Sequence, residues 1–475
     1  MLGISQRAPW GVVGLVVKVL GLGLGLGLAL GAVPACNALD DASGGAGTGD
    51  TAAAITADPG ELSDVAVCAS GPMRCLAHVR TSAATGQIQA HTANPMGYGA
   101  PDLQAAYNID PTKTASAHPT VALVNAYGYT ALESDLAKYR STYSLPACTV
   151  ANGCLQIVNQ QGQASPLPAN PPASDDWTIE AALDTDMVSA ACPTCNILIV
   201  EANDDSANNL FAAEDAAAML KPTVISNSWG GPEQGDIAGA ESHFNHPKIA
   251  TFTAAGDQGY NDQFSTTAGP DYPGTSAYVI AVGATSLVRD TSARGWTETA
   301  WSVSGLRTKS AGGSACSTSI PKPSYQSDSP CQFKATTDIS AVGDPATGVA
   351  IYNAGNNGWI QAGGTSAASP FIAALFAATG NGAQTSGSFI AANAAKLNDV
   401  VSGNNGTCSD SDAKLCNAGP GWDGPTGYGT PDAAKLMTAA SSGGGGGGGC
   451  STGGSTGLGA GLILGLALLR RRRRR

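Results

Sequence analysis

The chain has 475 residues, 36 of them acidic and 24 basic, which gives a formal net charge of −12, and 43% of the residues are hydrophobic. This length and composition allow a large buried core and exclude a wholly disordered chain. The acidic balance argues against a nucleic-acid partner, because such proteins need a basic surface that displaces counterions from phosphates.

The N-terminal 95 residues predict a targeting signal followed by two short segments. Residues 1–35 contain no acidic residue, and Arg7 and Lys18 precede an apolar run, as in a signal peptide that signal peptidase removes. Cys36 follows in a context that resembles a weak lipoprotein box, so lipidation and ordinary cleavage both stay open. Residues 36–60 are a low-complexity linker, and residues 61–95 are a short N-terminal or pro segment.

From residue 119 onwards the chain alternates between strand and helix patterns. Such alternation predicts a doubly wound, mainly parallel α/β sheet with helices on both faces, with its functional residues at the carboxyl ends of strands. The predicted strands are 120–126, 196–202, 223–228, 248–254 and 278–282, and the predicted helices are 131–143, 177–191, 208–220 and 371–378.

Twelve cysteines are unusual for a cytosolic enzyme and indicate an oxidising compartment. Ten of them lie close to a neighbour in the sequence, and we expect short-range disulfides, although spacing alone does not fix the connectivity. A zinc site at Cys192 and Cys195 is disfavoured because no second pair of ligands lies nearby. The expected pairs are Cys68/Cys75, Cys148/Cys154, Cys192/Cys195, Cys316/Cys331 and Cys408/Cys416.

The string Gly363-Gly364-Thr365-Ser366-Ala367-Ala368-Ser369-Pro370 places a serine beside a predicted helix N-terminus, where backbone N–H groups favour negative charge. A generic G-T-S is more often a helix cap. The full string resembles the nucleophile segment of the subtilisin-like superfamily. No histidine lies in a His-Gly-Thr motif, and the strand over 120–126 has Asn125 where a subtilisin has aspartate, so the sequence argues against an ordinary Ser-His-Asp triad.

Glu180 and Asp184 lie four residues apart on a predicted helix and therefore on one of its faces. Two adjacent carboxylates do not both ionise easily, so one keeps a proton at moderately acid pH. An isolated Glu-x-x-x-Asp is most often a solvated face, and Asp176 with Glu180 has the same spacing. The string from 177 to 184 resembles the sedolisins, or serine-carboxyl peptidases, and with the other motifs this resemblance implies a peptidase domain over residues 96–440. That resemblance implies that Glu180 accepts the Ser366 proton and Asp184 supports it.

Two further motifs share this resemblance. Asp257, in Thr253-Ala254-Ala255-Gly256-Asp257-Gln258-Gly259, is by itself an ordinary turn aspartate, but in sedolisins it forms the oxyanion hole and must be protonated to donate a hydrogen bond. The resemblance therefore implies activity at acid pH. The string from 226 to 233 resembles a substrate-cleft strand that pairs with an extended peptide, and its expected binding residues are Ser226, Ser228, Trp229 and Gly230.

A calcium site is the fourth feature that the sedolisin resemblance implies. Calcium binds about six oxygen ligands, and carbonyls serve as well as carboxylates. Without the resemblance, this Gly- and Asp-rich region is an ordinary loop. The implied ligands of one structural Ca²⁺ ion are the side chains of Asp399 and Asp423 with the carbonyls of Val400, Gly419 and Gly421.

The C-terminus predicts a sorting signal. Residues 441–450 form a glycine-rich tether, and residues 451–475 contain a short apolar stretch and six terminal arginines. A simple membrane anchor with its arginines on the cytoplasmic side is one interpretation. The pattern more closely resembles the MYXO-CTERM tail of myxobacterial surface proteins. This implies membrane contact through the tail, processing near Cys450 by a sorting enzyme, and a product at the cell surface or released.

The sequence as a whole predicts a secreted or surface-sorted, calcium-stabilised serine endopeptidase that acts on proteins or peptides. A non-catalytic surface protein that binds peptides and a tripeptidyl aminopeptidase of the same family are the alternatives. Two features depart from the sedolisin pattern. The pro segment is short, and Asn125 stands where some members carry an acidic residue, so the pH optimum and the route of maturation stay open.

Overall fold

The structure is a computed structural model that describes residues 62–68, 71, 73–265, 268–303 and 309–438. The predicted signal peptide, linker, tether and sorting tail lie outside these residues. The described strands are β1 Leu62–Ala66, β2 Arg74–Cys75, β3 His78–Ser82, β4 Ala90–His91, β5 Thr120–Ala126, β6 Leu155–Asn159, β7 Asn196–Ala202, β8 Val224–Asn227, β9 Trp229–Pro232, β10 Ala250–Ala254, β11 Gln258–Tyr260, β12 Asp271–Tyr272, β13 Val279–Arg289, β14 Trp296–Ala300, β15 Ala311–Ser314, β16 Cys316–Pro321, β17 Phe333–Ala335, β18 Ile339–Val342, β19 Val349–Asn353 and β20 Gly358–Gly363. The described α-helices are α1 Ala100–Ala106, α2 Leu132–Thr142, α3 Trp177–Ala191, α4 Ala207–Met219, α5 Ile237–Ala240, α6 Thr365–Ala378, α7 Ser388–Ala392, α8 Ala413–Cys416 and α9 Ala433–Leu436.

The main sheet has eight strands in the order β14-β13-β10-β8-β5-β7-β6, with β18 also paired to β13. All of its pairs are parallel except β13 with β14. Six consecutive residues of β5 are buried, so both faces of the sheet are covered at its centre. The predicted α/β fold with a mainly parallel sheet is therefore confirmed.

Helices α3 and α6 pack against each other, α6 lies on β8 and β10, and α4 packs against β5 and β7. Every residue of α3 is buried, including its carboxylates. A helix that is buried all round is common in a large core, but buried carboxylates require a specific reason. The position of α3 against α6 brings those carboxylates to the predicted nucleophile.

The predicted start of α6 was wrong. We expected this helix to begin at residue 371, after Pro370, but it begins at Thr365 and contains Pro370 in its second turn. The small residues that follow Gly364 allow the earlier start. Because proline has no N–H, the carbonyl of Ser366 four residues earlier receives no helical hydrogen bond from it.

A second, antiparallel sheet has the order β1-β3-β20-β19, with β4 paired to β20. It connects residues 62–91 to β20, the strand that leads directly into α6. All five expected disulfides are present. All described residues belong to one compact unit of the chain. In this part of the chain no helix combines the length and the apolar character needed to cross a bilayer.

Candidate active site

Ser366 is the second residue of α6 and is fully buried. The preceding Gly364 has a φ of 92°, and a Cβ on it would lie 1.9 Å from the carbonyl oxygen of Leu76, so only glycine fits this turn. The Oγ of Ser366 donates to Oε2 of Glu180 at 2.9 Å and lies 3.2 Å from the carbonyl oxygen of Ser228. The serine therefore has a carboxylate within direct proton-transfer distance.

Glu180 and Asp184 both face this serine region from α3. Oδ1 of Asp184 accepts from the Ser228 hydroxyl at 2.6 Å, and its Oδ2 accepts from the side-chain amide of Asn125 at 3.0 Å. Burial and the charge of Asp184 raise the pKa of Glu180 well above its usual value. Burial likewise raises the pKa of Asp184. The two buried groups thus share a proton at moderately acid pH.

Asp176, the other possible partner of Glu180, has a different role. It is the N-cap of α3, and its Oδ1 accepts from the N–H and the hydroxyl of Thr178 at 3.2 and 2.5 Å. Its Oδ2 accepts from the side-chain amide of Asn356 at 2.8 Å. Because these bonds hold Asp176 at the start of the helix, Asp184, which accepts from Ser228, is the carboxylate that pairs with Glu180.

Asp257 follows β10 and lies on the other side of the α6 N-terminus. Its Oδ1 accepts from the N–H and the hydroxyl of Thr365, both at 2.8 Å. Its buried Oδ2 makes no such hydrogen bond and lies 3.5 Å from Nε2 of His78. Burial raises the pKa of Asp257 to about 6, against the opposing effects of His78 and Thr365. A protonated Oδ2 is therefore the hydrogen-bond donor that this site offers.

Sequence reasoning missed a charged group beside Asp257. His78 is buried, its Nδ1 lies 3.1 Å from Oδ2 of Asp64, and Asp64 also accepts from the Ser310 hydroxyl at 2.6 Å. Despite burial, the hydrogen bond to Asp64 and the charges of Asp257 and Asp64 raise the pKa of His78. No motif surrounds His78. It reaches the site because β3 pairs with β20, a contact between distant parts of the sequence.

Among the predicted substrate-binding residues, the side chains of Ser226 and Trp229 pack inside the protein, whereas the backbone next to Ser228 borders the nucleophile. Ser226 lies in β8, and its hydroxyl is 2.9 Å from that of Ser369 in α6, so its side chain contacts the helix. Trp229 is fully buried and donates to the carbonyl of Val124 at 3.0 Å. The backbone from Ser228 to Gly230 borders the nucleophile, because Ser228 contacts both Ser366 and Asp184.

The predicted calcium ligands lie in two loops that contact each other. Oδ2 of Asp399 accepts from the N–H of Gly421, and Oδ2 of Asp423 accepts from the N–H of Gly419, both at 2.9 Å. Burial, with the charge of Asp399, raises the pKa of Asp423 to about 7. Val400 follows Asp399 and is buried. Among the described residues no cluster of three or more His, Cys, Asp or Glu side chains is arranged for a metal ion.

Comparison with known proteins identifies the family. Residues 175–429, more than half of the chain, match the Subtilase family. The chain belongs to the subtilase family. This match covers Glu180, Asp184, Asp257 and Ser366, and it establishes the predicted subtilisin-like fold.

This subtilase is 29% identical over 382 residues to Kumamolisin from Bacillus sp. (strain MN-32), a match that covers 75% of this chain and 66% of the relative. It is also 29% identical over 377 residues to Sedolisin from Pseudomonas sp. (strain 101), covering 72% and 60%. Among solved structures, Pseudomonas sedolisin, a serine-carboxyl proteinase complexed with two molecules of pseudo-iodotyrostatin, superposes with a TM-score of 0.60 at 26% identity over 73% of this chain and 98% of that one.

The subtilase thus spans somewhat less than two thirds of the length of its curated relatives. These similarities support a serine-type peptidase of the sedolisin kind, as the motifs around Glu180 and Ser366 predicted. The predicted MYXO-CTERM tail lies outside both the matched family region and the described residues.

Proposed function

We propose that this subtilase is a serine-carboxyl endopeptidase that hydrolyses peptide bonds at acid pH. The observation that carries the proposal is the 2.9 Å hydrogen bond from Oγ of Ser366 to Oε2 of Glu180. Ser366 attacks the peptide carbonyl while Glu180 takes its proton and later gives that proton to the leaving amine. Asp184, held by Ser228 and Asn125, keeps its carboxylate beside Glu180 and shares the proton of the pair.

Negative charge that develops on the carbonyl oxygen is stabilised at the N-terminus of α6. The backbone N–H of Ser366, which donates to the carbonyl of Leu76 at 3.3 Å in this structure, and a protonated Oδ2 of Asp257 are the two donors that would face the oxyanion. An ionised Asp257 would repel the oxyanion. Because the pKa of Asp257 is about 6, activity is present below this pH and is lost as the pH rises through it.

We expect an extended peptide substrate to pair with the backbone from Ser228 to Gly230, the edge that β2 occupies through Arg74 and Cys75 in this structure, and so to place its carbonyl at Ser366. An endopeptidase needs a cleft open at both ends, and a tripeptidyl aminopeptidase needs one end closed. Cleavage of long, internally labelled peptides in their interior separates these two activities. A protein that binds such peptides without cutting them would be the non-catalytic surface protein.

Casein digestion across pH, with Ser366→Ala and Glu180→Gln, tests the proposed chemistry. We expect activity confined to acid pH and a loss of at least about 100-fold in both variants, because each removes a group that moves the proton or forms the bond. The control is Glu133→Gln, a partly exposed glutamate on α2, which should digest at the wild-type rate. Full activity in Ser366→Ala would contradict the proposal.

We also propose one structural Ca²⁺ ion at the loops of Asp399 and Asp423. Two carboxylates and the carbonyls of Val400, Gly419 and Gly421 are the oxygen ligands that calcium prefers, and the bond from the N–H of Gly421 to Oδ2 of Asp399 brings the two loops together. Chelation should lower the melting temperature of the Ser366→Ala protein, and added Ca²⁺ should restore it. An unchanged melting temperature would contradict this site.

The location of the protein is proposed from its ends and its disulfides. The signal peptide would direct export, the five disulfides suit an oxidising compartment, and the C-terminal tail would be processed by a sorting enzyme. Fractionation of cells that express the full chain tests this. Retention in the cytosol would contradict it.

A further inference from the structure

Strand β7 carries a buried glutamate, Glu201, that the proposed reaction does not use. Only 2% of this residue is exposed, and its Oε1 accepts from the N–H of Tyr129 at 3.1 Å. Its other oxygen, Oε2, is also buried and has no hydrogen-bond partner among the described residues. Burying a carboxyl oxygen without a partner costs free energy, so a specific contact is expected at this atom.

Asn125 on the neighbouring strand β5 has an unpaired oxygen of its own. Its Nδ2 donates to Oδ2 of Asp184 at 3.0 Å, which fixes the direction of the amide. The other end of the amide, Oδ1, is buried and has no hydrogen-bond partner in the described part of the chain. An amide oxygen accepts hydrogen bonds and does not donate them, so Oδ1 requires a donor.

The main sheet places these two unpaired oxygens beside each other. Strands β5 and β7 are parallel with Asn125 opposite Glu201, so the two side chains leave the same face of strands about 4.8 Å apart. Asp184 binds Asn125 together with Ser228, which follows β8 on the other side of β5. An amide that directs Nδ2 towards β8 directs Oδ1 towards β7, and hence towards Glu201.

A proton on Glu201 turns this contact between two acceptors into a hydrogen bond. Burial raises the pKa of Glu201 to about 7, against the effect of the Tyr129 N–H. Below this pH the carboxyl is neutral, and its O–H is a donor. Because Tyr129 already holds Oε1, Oε2 is the oxygen that carries the proton towards Asn125.

We propose that Glu201 is a positioning residue for the candidate active site. Its protonated Oε2 donates to Oδ1 of Asn125 and holds the amide with Nδ2 against Asp184. A chain of hydrogen bonds then leads from β7, through Asn125, to the carboxylate beside Glu180. The inference rests on the proposed function, because it requires Asp184 to take part in catalysis.

The direction of the Asn125 amide affects the base through Asp184. Burial raises the pKa of Asp184, and the bonds from Ser228 and Asn125 oppose that rise and so favour the carboxylate. Burial and the charge of Asp184 raise the pKa of Glu180, which makes Glu180 a stronger base for Ser366. An amide that turned over would present Oδ1 to Asp184 and remove this support.

Steady-state hydrolysis of a peptide at acid pH tests the positioning role. We expect Glu201→Leu to lower kcat by about tenfold with an unchanged KM, because it removes the donor to Asn125 and the substrate pairs with β9 rather than β7. Glu201→Gln should restore most of the rate, since its amide nitrogen donates to Asn125 and its oxygen accepts from Tyr129. In an Asn125→Leu background, Glu201→Leu should have no further effect.

Three kinetic results would overturn the inference. The first is an unchanged kcat in folded Glu201→Leu. The second is a loss in Glu201→Gln as large as that in Glu201→Leu. The third is a full further loss when Glu201→Leu is added to Asn125→Leu, because Glu201 would then act without Asn125.

The matched control is Glu214→Leu. Glu214 is also a fully buried glutamate beside an asparagine, and it accepts from Nδ2 of Asn227 at 2.9 Å. Asn227 lies opposite Val124, so its side chain leaves the face of the sheet opposite to that of Asn125. We expect the wild-type kcat in this variant. An equal loss of kcat would assign the effect to general disturbance of the sheet and overturn the positioning role.

Infrared spectroscopy of the Ser366→Ala protein tests the hydrogen bond without turnover. The carboxyl C=O band of protonated Glu201 is the difference at acid pH between this protein and its Glu201→Gln derivative. We expect the band to move to higher frequency in Asn125→Leu, because the O–H then lacks its acceptor. An absent or unmoved band would overturn this inference and leave the proposed function intact. An inactive wild type would overturn the proposed function, and the positioning role with it, even where the band moves.

Discussion

Asp257 is the residue whose protonation state decides the pH range of the proposed reaction. Its Oδ1 is fixed by two donors from Thr365, so only Oδ2 faces the oxyanion position. In Asp257→Asn the amide oxygen would keep the Thr365 bonds and the amide nitrogen would donate at every pH. We expect the loss of activity near pH 6 to disappear in this variant, as measured by kcat/KM across pH. A decline at the same pH as in the wild type would assign that decline to another group.

Among the individual site residues, the sequence predicted those that lie within recognisable motifs. Glu180, Asp257 and Ser366 converge as the strings around them implied. His78 and Leu76 were not predicted, because neither lies in a recognisable motif. Their positions follow from the pairing of β3 with β20 and of β2 with β9, and such long-range register is not encoded in local patterns.

Helix α3 is the element that presents Glu180 and Asp184, and its first turn depends on Asp176. Replacing an N-cap aspartate with alanine removes the acceptor for otherwise unpaired N–H groups. We expect Asp176→Ala to lower the free energy of unfolding by about 1 kcal/mol, measured by denaturant titration in the Ser366→Ala background.

The matched control for the cap is Asp290→Ala. Asp290 accepts the corresponding two bonds, from the N–H and hydroxyl of Ser292 at 3.0 and 2.6 Å, but it lies in an exposed loop and lacks the further bond that Asp176 accepts from Asn356. This variant should change stability by less than about 0.5 kcal/mol. An equal loss of unfolding free energy in the two variants would contradict a specific contribution of the helix cap.

Periodicity located five of the eight strands of the main sheet, although β13 continues to Arg289, well beyond the predicted end at residue 282. Helix α3 and strands β5 and β7 have the predicted bounds. The start of α6 was misjudged because Pro370 normally marks a first turn, whereas here the Gly364 turn starts the helix earlier. The second sheet was not foreseen, since its strands are short and joined across most of the chain.

The whole molecule contains buried carboxyl groups with raised pKa values, and this makes its stability depend on pH. Burial raises the pKa of Glu201 to about 7, although the N–H of Tyr129 donates to its Oε1 at 3.1 Å. A raised folded-state pKa stabilises the fold below the unfolded value and loses that contribution as the pH rises through the folded value. We therefore expect the melting temperature to fall between about pH 4 and pH 8.

Glu201→Gln tests this dependence, because it keeps the shape of the side chain and removes one titration. Measured by denaturant titration in the Ser366→Ala background, the variant should lose less stability than its parent as the pH rises, by about 3 kcal/mol. Asp410→Asn, at an exposed position, is the control and should follow the parent. A parent whose stability increases across this range would contradict the assignment of buried, protonated carboxyls.

The account depends most on Glu180 activating Ser366, and covalent labelling with a small fluorophosphonate tests that step most directly. At acid pH we expect the reagent to modify Ser366 in the wild type, with the site located by peptide mass spectrometry. Glu180→Gln should react at least about 100-fold more slowly while melting at a similar temperature, because the serine then lacks its proton acceptor. Equal labelling of the wild type and of folded Glu180→Gln would contradict the account.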